Sequence, residues 1–168
     1  MIKVREAELK DCPGIARVQV DSYRTAYAGL MPEAYLAQFS YEEQEQDWVG
    51  LLEAGSADIL LVAESEEGEI VGYTLARAEA EIYPGYDAEI IALHVRKFVQ
   101  RQGVGRALLR EAVEKLSARG CQSVMLWTLK GNPVRRWYEK LGGKYLGEKT
   151  WSLDDFEVHE VAYGWDIG

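Results

Sequence analysis

Apolar positions along the chain follow two periods, one near two and one near 3.6, in successive segments. Ile2 to Glu6 reads as a short opening strand. Asp11 and Pro13 then mark a helix start, a capping carboxylate with proline in the first turn. Ile15, Ala16, Val18, Gln19 and Tyr23 carry that helix to about Tyr27, and Ala28-Gly29-Leu30-Met31-Pro32 breaks it. Glu33 to Phe39 predicts a short helix, and Ser40-Tyr41-Glu42-Glu43 has capping-box spacing before a helix that ends near Glu53. Ile59 to Glu64 and Glu69 to Ala78 read as strands joined by the turn-prone Glu66-Glu67-Gly68. Ala88 to Val95 is a strand interrupted only by Glu89 and His94. The clearest element is the helix from Gly103 to Arg119. There Val104, Ala107, Leu108, Ala112, Val113 and Leu116 share one stripe, and Gly120 stands ready as the C-cap. Ser123 to Leu129 is a strand, Asn132 and Pro133 open a helix to about Leu141, and Gly142-Gly143 ends it. Strands near Lys144 to Trp151 and Glu157 to Asp166 complete the chain.

A length of 168 residues suits a single domain with a real core. Hydrophobic content of 48% and 28% charged residues are those of an ordinary globular protein, and no apolar run reaches the length of a membrane span. The two cysteines, Cys12 and Cys121, are far apart, and His94 and His159 are the only histidines. Neither a disulfide framework nor a metal cluster is expected, and the expected location is cytoplasmic. The net charge of −9 argues against a nucleic-acid partner. The charge is uneven, however. Arg96, Lys97, Arg101, Arg106 and Arg110 form a basic island without an acidic residue between them, which suits a ligand carrying phosphates.

That island surrounds Gln100-Arg101-Gln102-Gly103-Val104-Gly105-Arg106. A strand, a glycine turn and the bare N-terminus of a helix present free backbone N–H groups to phosphate oxygens. A dinucleotide fingerprint fits poorly, because its third small residue would fall on Leu108. A Walker A loop fails for want of the Gly-Lys-Ser/Thr ending. What fits is Gln/Arg-x-x-Gly-x-Gly/Ala after such a strand, and with it the chain resembles the GNAT superfamily of N-acetyltransferases. Trp137-Tyr138-Glu139-Lys140-Leu141-Gly142 is similar to a second stretch of that family. The element order also matches.

The resemblance implies a single-domain α/β (α+β) GNAT-like fold, with about seven strands in a mixed, mostly antiparallel twisted sheet and about four helices. It implies acetyl-CoA as acetyl donor and no metal. Its pyrophosphate would lie on Gln100, Arg101, Gln102, Gly103, Val104, Gly105 and Arg106. Its pantetheine arm would lie along Leu93, His94 and Val95, with the Val95 N–H facing the thioester carbonyl, and would meet Asn132. Tyr138 would stand near the sulfur, and homodimers are common in the family. Two departures are Lys97, where proline is frequent, and an Asn132–Tyr138 spacing one residue shorter than in many members.

Acetyl transfer to an amine also needs help in deprotonation. Glu89 interrupts an apolar strand, and an inward carboxylate there calls for a reason. Its ordinary pKa lies about 8 kcal/mol from that of an alkylammonium, so it would act through water or with a raised pKa. His94 is read as packing, on the opposite face from Glu89 if the strand is unbroken. Tyr23, Tyr27, Tyr35 and Trp48, with Glu42, Glu43, Glu45 and Asp47, are candidates for the acceptor pocket, and Tyr83-Pro84-Gly85-Tyr86 for a loop over it. The expected acceptor is a small amine or amino-acid-like metabolite. The alternatives are a protein N-terminus or lysine, a non-catalytic acyl-CoA-binding module and, last, a nucleotide-binding regulator.

Overall fold

The computed structural model describes all 168 residues. The strands β1 (Lys3–Glu6), β2 (Ile59–Glu64), β3 (Ile70–Tyr83), β4 (Tyr86–Val95), β5 (Ser123–Leu129), β6 (Lys144–Leu153) and β7 (Phe156–Asp166) form one sheet in the order β1-β2-β3-β4-β5-β7-β6. Every neighbouring pair is antiparallel except β4 and β5. That parallel pair needs a crossover, and α4 (Val104–Ala118) supplies it. Helices α1 (Cys12–Ala26), α2 (Glu33–Leu36) and α3 (Tyr41–Glu53) precede β2, and α5 (Arg135–Lys140) follows β5. The fold is therefore the mixed seven-stranded one expected, with five helices.

Alternation along the strands divides the core in two. Leu108, Ala112 and Leu116 of α4 pack on Leu61, Val71, Ile90, Val124 and Leu126. On the other face Ile15 and Val18 of α1 and Trp48 of α3 pack on Leu60, Val62, Tyr73 and Leu75. Tyr138 of α5 joins the α4 side.

The boundaries that differ most from the sequence reading in shaping the site are those of the β3–β4 connection and the start of α5. β3 runs to Tyr83 and β4 begins at Tyr86, so Pro84-Gly85 is a tight hairpin turn rather than a free loop; Gly85 supplies the φ of +85° that it requires. Glu79 and Glu81 mask this extension in the sequence, since both are exposed in the stretch between Ala78 and Tyr83 where the register with β4 shifts. Helix α5 starts at Arg135, because the Asn132 side chain accepts from the Val134 N–H at 3.0 Å and holds residues 132–134 in a turn. Ser40 caps α3 as read, accepting from the Glu43 N–H at 3.1 Å.

Candidate active site

Strands β4 and β5 meet at a single paired position, Glu89 opposite Met125, and then diverge. Beyond it β4 has a partner only on its β3 side. The Arg96 N–H donates to the Val71 carbonyl at 2.8 Å, which makes Tyr73–His94 the next hydrogen-bonded pair. Leu93 and Val95 accordingly aim their backbone groups into the gap. The Val95 carbonyl is taken by the Gln100 side-chain amide at 3.0 Å; its N–H is free.

The loop that follows turns into α4 through two left-handed residues, Arg101 (φ 65°) and Gly103 (φ 84°). Gly103 meets no neighbour within 4 Å where a Cβ would stand, so its glycine answers to conformation. The first helical bond is from the Ala107 N–H to the Gly103 carbonyl, and the six N–H groups from Arg101 to Arg106 have no protein partner. Arg101 and Arg106 are exposed beside them. A positive helix end with unfilled donors and two guanidinium groups is chemically suited to phosphate oxygens.

One cavity of about 1350 Å³ joins this loop to the far side of the gap. Of the residues read from the sequence, Glu89, Leu93, His94, Val95, Gln100, Arg101, Gly103, Gly105, Arg106, Asn132 and Tyr138 line it. Gln102 and Val104 do not. The Gln102 amide donates to the Phe98 carbonyl at 3.3 Å, and the Val104 side chain is buried under α4. Trp48 and the acidic residues of α3 also lie elsewhere. Trp48 is core, donating to Gln19 at 2.8 Å.

A bulge decides what faces the cavity. Leu75 pairs with Ala92 but Ala76 with Ile90, so Ile91 is an extra residue in β4. Ala88 and Ile90 pack on the α4 side, as do Leu93 and Val95, which leaves Glu89 and His94 together on the opposite face. The unbroken alternation read from the sequence would have separated them. Burial raises the Glu89 pKa, Lys149 and Arg77 oppose the rise, and Glu160 adds to it. The His94 ring meets Tyr23 and Tyr27 edge-on and Tyr73 at a tilt, and loss of water lowers its pKa to about 4. It is neutral at pH 7. Tyr138 is 6% exposed, its hydroxyl has no protein partner, and burial pushes its pKa up to about 12.

The distal end of the cavity is built by residues the sequence reading passed over: Trp127 of β5, Glu160 of β7, and Lys149 and Trp151 of β6. Glu160 accepts from the Trp151 indole at 2.8 Å, and the Lys149 ammonium lies 4.2 Å from the Trp127 ring centroid. A signal existed: Glu160 interrupts the face that Val158 and Ala162 bury, as Glu89 does in β4. Tyr23, Tyr27 and Tyr35 do line this end, as read. The segment after α1 covers it, with Met31 and Leu36 packed on Val158, and Leu30 against Gly131, where a Cβ would come within 2.7 Å of it.

The sequence profile of the acetyltransferase (GNAT) family matches residues 20–143, and the chain belongs to that family. It is 35% identical to the uncharacterized N-acetyltransferase YuaI of Bacillus subtilis (strain 168), over 98% of this chain and 93% of that protein. It is 22% identical to a spermidine N(1)-acetyltransferase of Thermoplasma acidophilum, over 79% of this chain and 81% of that one. The crystal structure of PaiA N-acetyltransferase from the same organism, in complex with coenzyme A, superposes with a TM-score of 0.73 at 18% identity, covering 96% of this chain and 98% of the other. The chain is thus an N-acetyltransferase with the GNAT fold. No helix is long and apolar enough to cross a membrane.

Proposed function

We propose that the protein transfers the acetyl group of acetyl-CoA to the primary amine of a small molecule by direct attack. The observation that carries this is the continuous cavity from the unpartnered α4 N–H groups, through the β4–β5 gap, to Glu89. Leu30, Met31 and Tyr35, from the segment after α1, line and narrow the distal end, which favours a small acceptor over a protein segment.

Acetyl-CoA supplies the activated thioester. The N–H groups of Arg101 to Arg106, with Arg101 and Arg106, bind its pyrophosphate, and Gln100 fixes the end of β4 so that the Val95 N–H stays turned into the gap. That N–H stabilises negative charge developing on the carbonyl oxygen. Leu93 offers its backbone groups to the pantetheine, those of His94 being paired with Tyr73 of β3, and the Asn132 amide lines the same passage. Glu89, its basicity raised by burial, takes the amine proton through water. Tyr138 donates a hydrogen bond to the departing sulfur. Cys12 and Cys121 are buried and outside the cavity lining, which supports direct attack without a thioester on the protein.

Calorimetric titration with acetyl-CoA, with ATP and NAD as controls, tests the donor. Saturable binding of acetyl-CoA alone is expected, lost in Gly103→Glu, where a side chain would strain the left-handed turn (φ 84°) that presents the free N–H groups and would add a negative charge beside them. Equal binding by that variant refutes the phosphate assignment.

A further inference from the structure

Lys149 holds a position that no step above uses. It projects from the edge strand β6, level with Glu160 on β7. Toward β5, the neighbours on its face are Gly147 and Ala162, paired with each other, and Ala162 is also paired with Trp127. These side chains are too small to stand between Lys149 and the Trp127 ring, so the aliphatic stem lies over the sheet and the ammonium reaches 4.2 Å from the ring centroid. The nearest carboxylate oxygen, Glu160 Oε2, is 3.8 Å away and already accepts the Trp151 indole at 2.8 Å. The Lys149 ammonium therefore donates no hydrogen bond within the protein, although it is held by a ring and a charge. Arg101 and Arg106 at the helix start and Lys140 on α5 are the other cations lining the cavity, which leaves Lys149 as the cation of the distal end.

Two carboxylates over an aromatic floor would, without Lys149, accept a diamine. Here the aromatic and carboxylate position that a second ammonium would take is filled by the protein's own. A dicationic acceptor is repelled from it. An acceptor whose reacting amine faces Glu89 and which also carries a carboxylate meets three free N–H donors instead.

We propose that Lys149 is a specificity-determining residue that binds the carboxylate of the acceptor, so that the protein acetylates free amino acids in preference to simple amines or polyamines. The inference rests on the small-amine reading above and narrows it. Trp127 positions the ammonium, and Glu160 keeps it from folding back to solvent.

The test is thiol release from acetyl-CoA with matched pairs that differ only in the carboxylate: phenylalanine and phenethylamine, leucine and isoamylamine, lysine and cadaverine. The amino acid of each pair is expected to have the higher kcat/KM by about 10- to 100-fold, the range for a hydrogen-bonded charge. Lys149→Met should bring the ratio to within about 3-fold by raising KM for the amino acids, and Lys149→Arg should retain the preference. Lys149→Glu should turn it toward cadaverine. The side chain is 46% exposed, so these substitutions are compatible with folding. Equal rates within the wild-type pairs overturn the inference, as does a preference that survives Lys149→Met. Turnover of the simple amines alone overturns it while sparing the small-amine reading. Bound acetyl-CoA with no turnover of any pair overturns both.

Discussion

Tyr138→Phe removes one hydroxyl from a side chain that is otherwise core, packed against Trp137, Tyr163 and Trp165. The ring is 6% exposed and the hydroxyl meets no protein group, so phenylalanine fills the same space and the fold should be unaffected. Burial has pushed the phenol pKa up to about 12, and a free thiol titrates near 8.5. Full proton transfer from Tyr138 to the thiolate would therefore run uphill by about 5 kcal/mol. A hydrogen bond to the anion avoids that cost and contributes about 1.5–3 kcal/mol. Tyr138→Phe is accordingly expected to lower kcat by about 10- to 150-fold, with acetyl-CoA affinity changed by less than about 3-fold. Steady-state thiol release from pH 6 to 10, alongside calorimetry, measures both. Because Tyr138 titrates above this range, the alkaline side of the profile should have the same shape in wild type and variant. An alkaline fall present in the wild type and absent from Tyr138→Phe would show the phenol titrating within the range and refute the reasoning. So would undiminished kcat.

Glu89→Gln should lower the rate about 100-fold near pH 7, where the acceptor is an ammonium that must lose a proton. The deficit should narrow as pH approaches the amine pKa, where free amine needs no base; a constant ratio across pH would make Glu89 structural. Arg5→Met should destabilise the fold by about 2–3 kcal/mol in urea titrations, because it strands Asp11, 4% exposed and bound by Arg5 at 2.7 and 2.9 Å. Burial opposes ionisation of Asp11, but the bonds from Arg5 and the Glu8 N–H outweigh it and lower the pKa, so this stability is lost as pH falls below about 4. A loss under 0.5 kcal/mol would contradict the pairing. His94 is neutral down to about pH 4 in the fold, whereas the unfolded chain binds the proton near 6.5. Stability should therefore decline from pH 6.5 toward 4, and His94→Phe should reduce that decline by up to about 3 kcal/mol. An unchanged slope would place the ring in water.

Local patterns settled much of the architecture. The stripe Val104-Leu108-Ala112-Leu116 must bury one face of a helix wherever it lands, and the apolar runs of β2, β4 and β5 must be covered on both sides. The glycine turn before α4 was legible for the same reason, since a left-handed φ at Gly103 and unfilled N–H groups at a helix start follow from a few adjacent residues. Tyr138 and Glu89, both in the cavity lining, stand out as candidates through motif and interruption, both local features.

The strand-borne wall of the cavity's distal end was legible only where Glu160 interrupts a buried face, because its residues come from strands adjacent only after the chain has crossed and doubled back. Trp127, Lys149, Trp151 and Glu160 lie on β5, β6 and β7, and their registers put them on one face. The sequence by itself determined the elements, the phosphate-ready helix start and the carboxylate in β4, each fixed by short-range periodicity and backbone sterics. Only the tertiary structure decided that β4 parts from β5 after Glu89, that the bulge at Ile91 brings His94 to the face of Glu89, and that a lysine from the sheet edge lies over Trp127. Register and side-chain reach across strands depend on long-range pairing, which no local window contains.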